Sequence, residues 1–200
     1  MPPLLFWGDL MKVEQYVMAY QVEQDRLRAM LPAGFTSLRP VLRINAEIHD
    51  DRVAHMECNT AVEHEGRRGW LNIGHWGAIP FRREGRTTHF ETRFLKLSFK
   101  DTGIAGGCPA EKDDEGCWFL SGAIRLRPPE HIQVPKHYCD CSFAWQFAED
   151  NASGVSLGKT LPAVCSEPVT VYPPQSCTPM TAAAIPCQQV LGAYTVRFER

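Results

Sequence analysis

The stretch "PVLRINAEIHD", residues 40–50, decides how the chain is read. Apolar and polar side chains alternate along it, with Leu42 and Ile44 set against Arg43 and Asn45. A period of two sends successive side chains to opposite faces, so this is a half-buried strand. The neighbouring segments follow the same pattern. Residues 53–80 read as two strands joined by a turn at 65–69, and residues 87–100 form another alternating stretch. "CWFLSGAIRLR" (117–127) and "CSFAWQFA" (141–148) each read as a strand, and "VLGAYTVRFER" (190–200) closes the chain as one more. The best helix is "VEQDRLRAMLP" (22–32), where Leu27, Met30 and Leu31 make an apolar stripe and Pro32 ends it. "GIAGGCPAEKDDEG" (103–116) is a loop rich in Gly and charge, and the four prolines of residues 171–187 resist regular structure. Strands far outnumber helices. The expected class is α+β, mainly antiparallel β: a barrel or sandwich with a few flanking helices, as a single domain over residues 1–200.

Bulk properties narrow the function. Two hundred residues can bury one sizeable core. The formal net charge of -2 gives no global field to draw the chain to nucleic acid or an anionic membrane. The basic runs at 65–68 and 81–86 contain Gly and Glu and read as exposed turns. No apolar run approaches the roughly 20 residues that span a bilayer. The first residues lack the basic start and small-residue cleavage site of a signal peptide, so a cytoplasmic location is expected. Eight cysteines in such a compartment are expected as free thiols, mostly as small buried hydrophobes. The close pair Cys139 and Cys141 lacks a firm second pair of the kind that a structural zinc site needs.

Common catalytic signatures are absent: there is no G-x-S-x-G and no phosphate-binding loop. His49, His55, His64, His75 and His89 have no metal-ligand spacing, although they could meet in space. The remaining chemistry lies in polar residues on apolar strands: Arg43, Asn45, Glu57, and Lys96 within "RFLKLSFK" (93–100). In a barrel, alternate residues point inward, where a few polar groups would line a small cavity. Periodicity alone does not separate inside from outside. Composition alone reads Lys96 as an outward side chain, because Lys is almost never buried unless paired.

The order of features resembles the acetoacetate decarboxylase-like superfamily. The likeness is carried by "YQVEQDRLRAMLPAGF…PVLRI", then "HMECNTAVEHEGRRGWL", then the late "AYTVRFE". It implies a mostly antiparallel β-barrel or cone with flanking helices, assembled as a homo-oligomer, with a small-molecule substrate and no cofactor or metal. The family's decarboxylase is the standard case of an amine activated by its surroundings: a lysine condenses with a β-keto acid and the protonated imine accepts the electrons released as CO₂ leaves. Shifting an amine from about 10.4 to about 7 requires roughly 4–5 kcal/mol of differential destabilisation of the cation. The resemblance maps the nucleophile onto Lys96, with Leu95 in place of the family's Pro and Leu97 in place of its second Lys. Glu57 matches the family's strand glutamate, and Asn45 stands where a second glutamate is found. Asn45 can hydrogen-bond a substrate but cannot exchange a proton by ionising.

The implied function is a lyase-type step on a small keto or β-keto compound: decarboxylation, aldol or dehydration chemistry, or cyclisation. Glu57 would act as acid and base, Lys96 as the imine-forming amine, Arg43 as carboxylate ligand, and Asn45 would orient the carbonyl. Two alternatives stand beside it. One is non-covalent acid/base isomerisation or cyclisation without Lys96. The other is a barrel that binds a small molecule without turnover. The imine requires Lys96 and Glu57 to share one pocket.

Overall fold

The computed structural model describes residues 10–106, 117–120, 123–126, 134–149, 157–162 and 177–200. Twelve strands and two short helices occur among them. The first half of the chain contributes β1 (Lys12–Gln21), α1 (Gln24–Met30), β2 (Phe35–His49), β3 (Val53–His64), β4 (Arg67–Ile79), β5 (Phe81–Glu84), β6 (Thr87–Glu91) and β7 (Leu95–Ala105). The second half contributes β8 (Cys117–Leu120), β9 (Ala123–Leu126), β10 (His137–Glu149), β11 (Leu157–Pro162), α2 (Pro179–Ala183) and β12 (Gln189–Glu199). All twelve strands belong to one sheet in the order β5-β6-β7-β10-β12-β1-β2-β3-β4-β8-β9, with β11 paired to β10. Every pairing is antiparallel except β4 with β8. The mainly antiparallel β architecture is the one expected.

Local chemistry explains the boundaries. Glu23 caps α1 by accepting hydrogen bonds from the backbone N–H groups of Asp25 and Arg26 at 3.0 and 2.9 Å. Two hairpins have tight turns: Asp50-Asp51 joins β2 to β3, and Glu65-Gly66 joins β3 to β4, all four residues at positive φ. Four expectations change. The alternating stretch 87–100 is broken between β6 and β7, where Thr92 Oγ1 accepts from the N–H groups of Phe94 and Leu95. The expected strand 117–127 is replaced by two, β8 and β9, paired antiparallel to each other. Part of the proline-rich stretch is helical, because Thr178 caps α2 and Pro179 sits at its start, where no N–H is needed. The segment 103–116 begins as the end of β7, and its residues 107–116 lie outside the described residues.

The main core uses one face of the central strands. Tyr16, Met18 and Tyr20 of β1, Leu42, Ile44, Ala46 and Ile48 of β2, and Ala54, Met56 and Cys58 of β3 all belong to it. Phe90, Leu95, Leu97, Phe99, Phe143 and Trp145 join from the other half of the sheet, with Leu27 and Met30 from α1. The sheet therefore curls upon itself. Trp76 of β4 lies 5.5 Å from Phe94 and 6.4 Å from Trp145 of β10, ring centre to ring centre, although four strands separate β4 from β10. The curl resembles the expected cone, but the hydrogen-bonded path stays open among the described residues.

One glycine fixes the turn of the sheet towards β8. A Cβ at Gly69 would collide with the backbone carbonyl of Cys117, which cannot yield as a flexible side chain would. Gly69→Ala is expected to cost about 1–3 kcal/mol, the range for overpacking. Urea unfolding measures this, and an unchanged midpoint would show that β8 does not approach β4 so closely.

Candidate functional site

The polar residues of β2 and β3 point away from the main core. Alternation dictates this: Leu42, Ile44, Ala46 and Ile48 fill the core, so Arg43, Asn45, Glu47 and His49 take the opposite face. The register then aligns rows across strands. Asn45 stands opposite Glu57, and Glu57 opposite His75. Glu47 stands opposite His55 on one side and Gln15 on the other. Asn45, Glu47, His49, His55, Glu57, His75 and Arg200 line one pocket of about 320 Å³. Small apolar clusters occupy the same face on either side: Val17, Ala19, Val41, Tyr194 and Val196 towards β12, and Ala61, Trp70 and Trp118 towards β8.

Glu47 is held in this pocket by several partners. It accepts hydrogen bonds from Gln15 Nε2 at 3.0 Å and from Arg200. His49 Nε2 lies 3.0 Å from Glu47 Oε2 and 3.3 Å from Arg200 Nη2. Arginine only donates, so a bare Nε2 accepts from Arg200 and a protonated Nε2 donates to Glu47. The His49 and His55 rings are 5.0 Å apart, and the His55 and His75 rings are stacked at 6.0 Å. Three of the five histidines named from the sequence thus form a row. His64 instead stacks on Phe35, and His89 sits beside Glu84. Among the described residues, no group of three His, Cys, Asp or Glu side chains is arranged to hold a metal ion.

Burial holds His55 below the ordinary histidine value, and the neighbouring His49 and His75 add to this, while Glu47 opposes it. The unfolded chain therefore takes up the proton more readily. The corresponding stability is complete above about pH 6.5 and is lost as pH falls through the lower native value. Melting temperature is expected to fall on acidification from about pH 7 to about pH 5. His55→Gln should flatten that decline in part, since His89 is also held low, mainly by burial. An unaltered slope in His55→Gln would mean that the row does not resist protonation.

The four residues singled out from the sequence separate into groups. Asn45 and Glu57 meet in the pocket. Arg43 shares their face but lies further along β2, with its guanidinium carbon 4.2 Å from the Trp70 ring centre. Lys96 is elsewhere. Its Nζ pairs with Glu91 at 2.9 Å, both side chains are more than half exposed, and it does not line the pocket. The alternation of Leu95, Lys96 and Leu97 explains this: the two leucines enter the core, so Lys96 must leave it. Sequence reasoning passed over Glu47 and Arg200. Glu47 was visible as the next polar step along β2; Arg200 was not, because only the pairing of β12 with β1 brings the chain end to the site.

Among the remaining features, Cys58, Cys117, Cys139, Cys141, Cys177 and Cys187 are free thiols. Cys108 and Cys165 lie outside the described residues. Burial pushes the Cys139 and Cys177 thiols up to about 12, which suits packing rather than nucleophilic attack. No helix among the described residues is long and apolar enough to cross a membrane.

No family model and no curated protein matches the chain. Solved structures do. Acetoacetate decarboxylase from Legionella pneumophila is 12% identical, with a TM-score of 0.50 over 98% of this chain and 88% of that one. The enduracididine biosynthesis enzyme MppR, complexed with pyruvate, is 12% identical, with a TM-score of 0.53 over 95% of this chain and 86% of that one. The chain is thus similar in fold to acetoacetate decarboxylase and to MppR along nearly its whole length.

Proposed function

We propose that this pocket performs lyase-type acid/base chemistry on a small keto or β-keto acid, with Glu57 as the proton-exchanging group and no imine. The observation that supports it is the register: Asn45 and Glu57 are direct cross-strand partners and line the same pocket, whereas Lys96 lies outside it. The solved relatives point to the same substrate class, one being a decarboxylase of acetoacetate and the other a complex with pyruvate.

The chemistry follows from the two side chains. The Asn45 amide donates a hydrogen bond to the substrate's keto oxygen. Glu57, as carboxylate, removes a proton from the adjacent carbon, and the electron pair of that C–H bond becomes the enolate. Asn45 stabilises the charge that develops on oxygen. For a β-keto acid, breaking the C–C bond to the carboxylate releases CO₂ and leaves the same kind of enolate. Glu57 in its acid form, protonated by the C–H step on the first route and from solvent before the decarboxylation route, returns a proton to carbon. His75, opposite Glu57 and exposed, is placed to pass protons to solvent.

Proton exchange tests this without knowledge of the natural substrate. Pyruvate or acetoacetate is incubated with the protein in D₂O and followed by proton NMR. Enzyme-dependent loss of the α-proton signal is expected, with no stable mass adduct after borohydride reduction. An adduct on Lys96 would replace this reading with the imine mechanism. Saturable binding without any exchange would leave a small-molecule binding protein.

A further inference from the structure

Among the described residues, Arg43 is buried without a counter-ion. It is 6% exposed, and among the described residues no carboxylate pairs with it. Its Nε has no hydrogen-bond acceptor. Two more donors nearby share this condition: Asn59 Nδ2 and Trp70 Nε1, on residues 0% and 1% exposed. The three residues form one patch. Arg43 stands opposite Asn59 in the β2–β3 register, and the Arg43 guanidinium lies over the Trp70 indole. Asn59 Oδ1 accepts from Asn72 Nδ2 at 3.3 Å, with its Nδ2 turned to the other side.

Such a patch is costly when empty. An unsatisfied buried donor costs about 1–3 kcal/mol and an unpaired buried charge several more. Water could satisfy the donors but not the charge. An oxyanion with two adjacent acceptor atoms satisfies both, and the planar guanidinium suits a carboxylate. Asn45, two residues from Arg43 on the same face of β2, lines the pocket that holds Glu57, while the three patch residues lie beside that pocket and not in its lining.

We propose that Arg43, Asn59 and Trp70 form a carboxylate subsite that binds the acid group of the substrate while Asn45 and Glu57 address its keto group. This rests on the acid/base reading for its geometry and adds the anchor that selects keto acids over neutral ketones and esters.

The test measures binding apart from turnover. In the Glu57→Gln protein, acetoacetate is expected to raise the melting temperature saturably, and uncharged acetoacetamide is not. Asn59→Asp places a carboxylate of the chain itself beside Arg43. It should leave the ligand-free protein at least as stable as its parent and weaken acetoacetate binding by more than about 30-fold, the lower range for losing a buried charge pair. Arg43→Met should also abolish the preference for the acid. It should not destabilise the ligand-free protein, since it removes an unpaired buried cation. Equal responses to acetoacetate and acetoacetamide, or no response to either, would overturn the subsite. So would undiminished acetoacetate binding in either variant, or a marked loss of ligand-free stability in Arg43→Met. Charge-selective binding without proton exchange would sink the acid/base reading and leave the subsite standing; exchange without charge selectivity would do the reverse.

Discussion

Glu57→Gln is expected to slow deuterium exchange into acetoacetate or pyruvate by about 10²–10⁴, the usual contribution of a positioned general base. The substitution keeps the shape and removes the ionisable oxygen, so binding and fold should change little. Lys96→Met is the matching control. Lys96 pairs with Glu91 at the surface, and exposed pairs contribute about 0–1 kcal/mol, so stability should hold to within about 1 kcal/mol and the rate to within about twofold. The opposite pattern, loss in Lys96→Met and survival in Glu57→Gln, would return the chemistry to the amine.

The largest effect on stability is expected from Phe99→Ala, at about 3–5 kcal/mol. Phe99 is fully buried, and its ring packs 5.3 Å from Tyr16 and 6.3 Å from Phe90. Those contacts link β7 and β6 to β1 across the curl of the sheet. Small rearrangement around so large a void does not recover the lost contacts in a core that uses Tyr16, Phe90 and Phe99 together. Urea denaturation of both proteins gives the difference. A loss below about 1 kcal/mol would mean that the two halves of the sheet do not pack through this ring.

The reading of Lys96 shows where local pattern and family likeness part. The motif likeness marked Lys96 as a nucleophile, while the alternation of Leu95, Lys96 and Leu97 already assigned it to the face opposite the leucines. Those leucines are core residues, so the lysine is outside. The histidines show the reverse. Nothing in their spacing marked them as a group, yet the antiparallel pairing of β2, β3 and β4 sets His49, His55 and His75 in one row.

What the sequence determined by itself was the strand content, the two-residue alternation and hence which side chains travel together on β2, β3 and β12. These are local properties, set by backbone geometry and by the need to bury one face of each strand. The tertiary structure decided which face holds the main core, that β8 and β9 pair antiparallel as separate strands, and that Arg200 reaches Glu47. It also decided that Arg43, Asn59 and Trp70 are buried with donors unsatisfied. Pairing register and the curl of the sheet are collective: they depend on contacts between strands far apart in the chain, and no single stretch of residues encodes them.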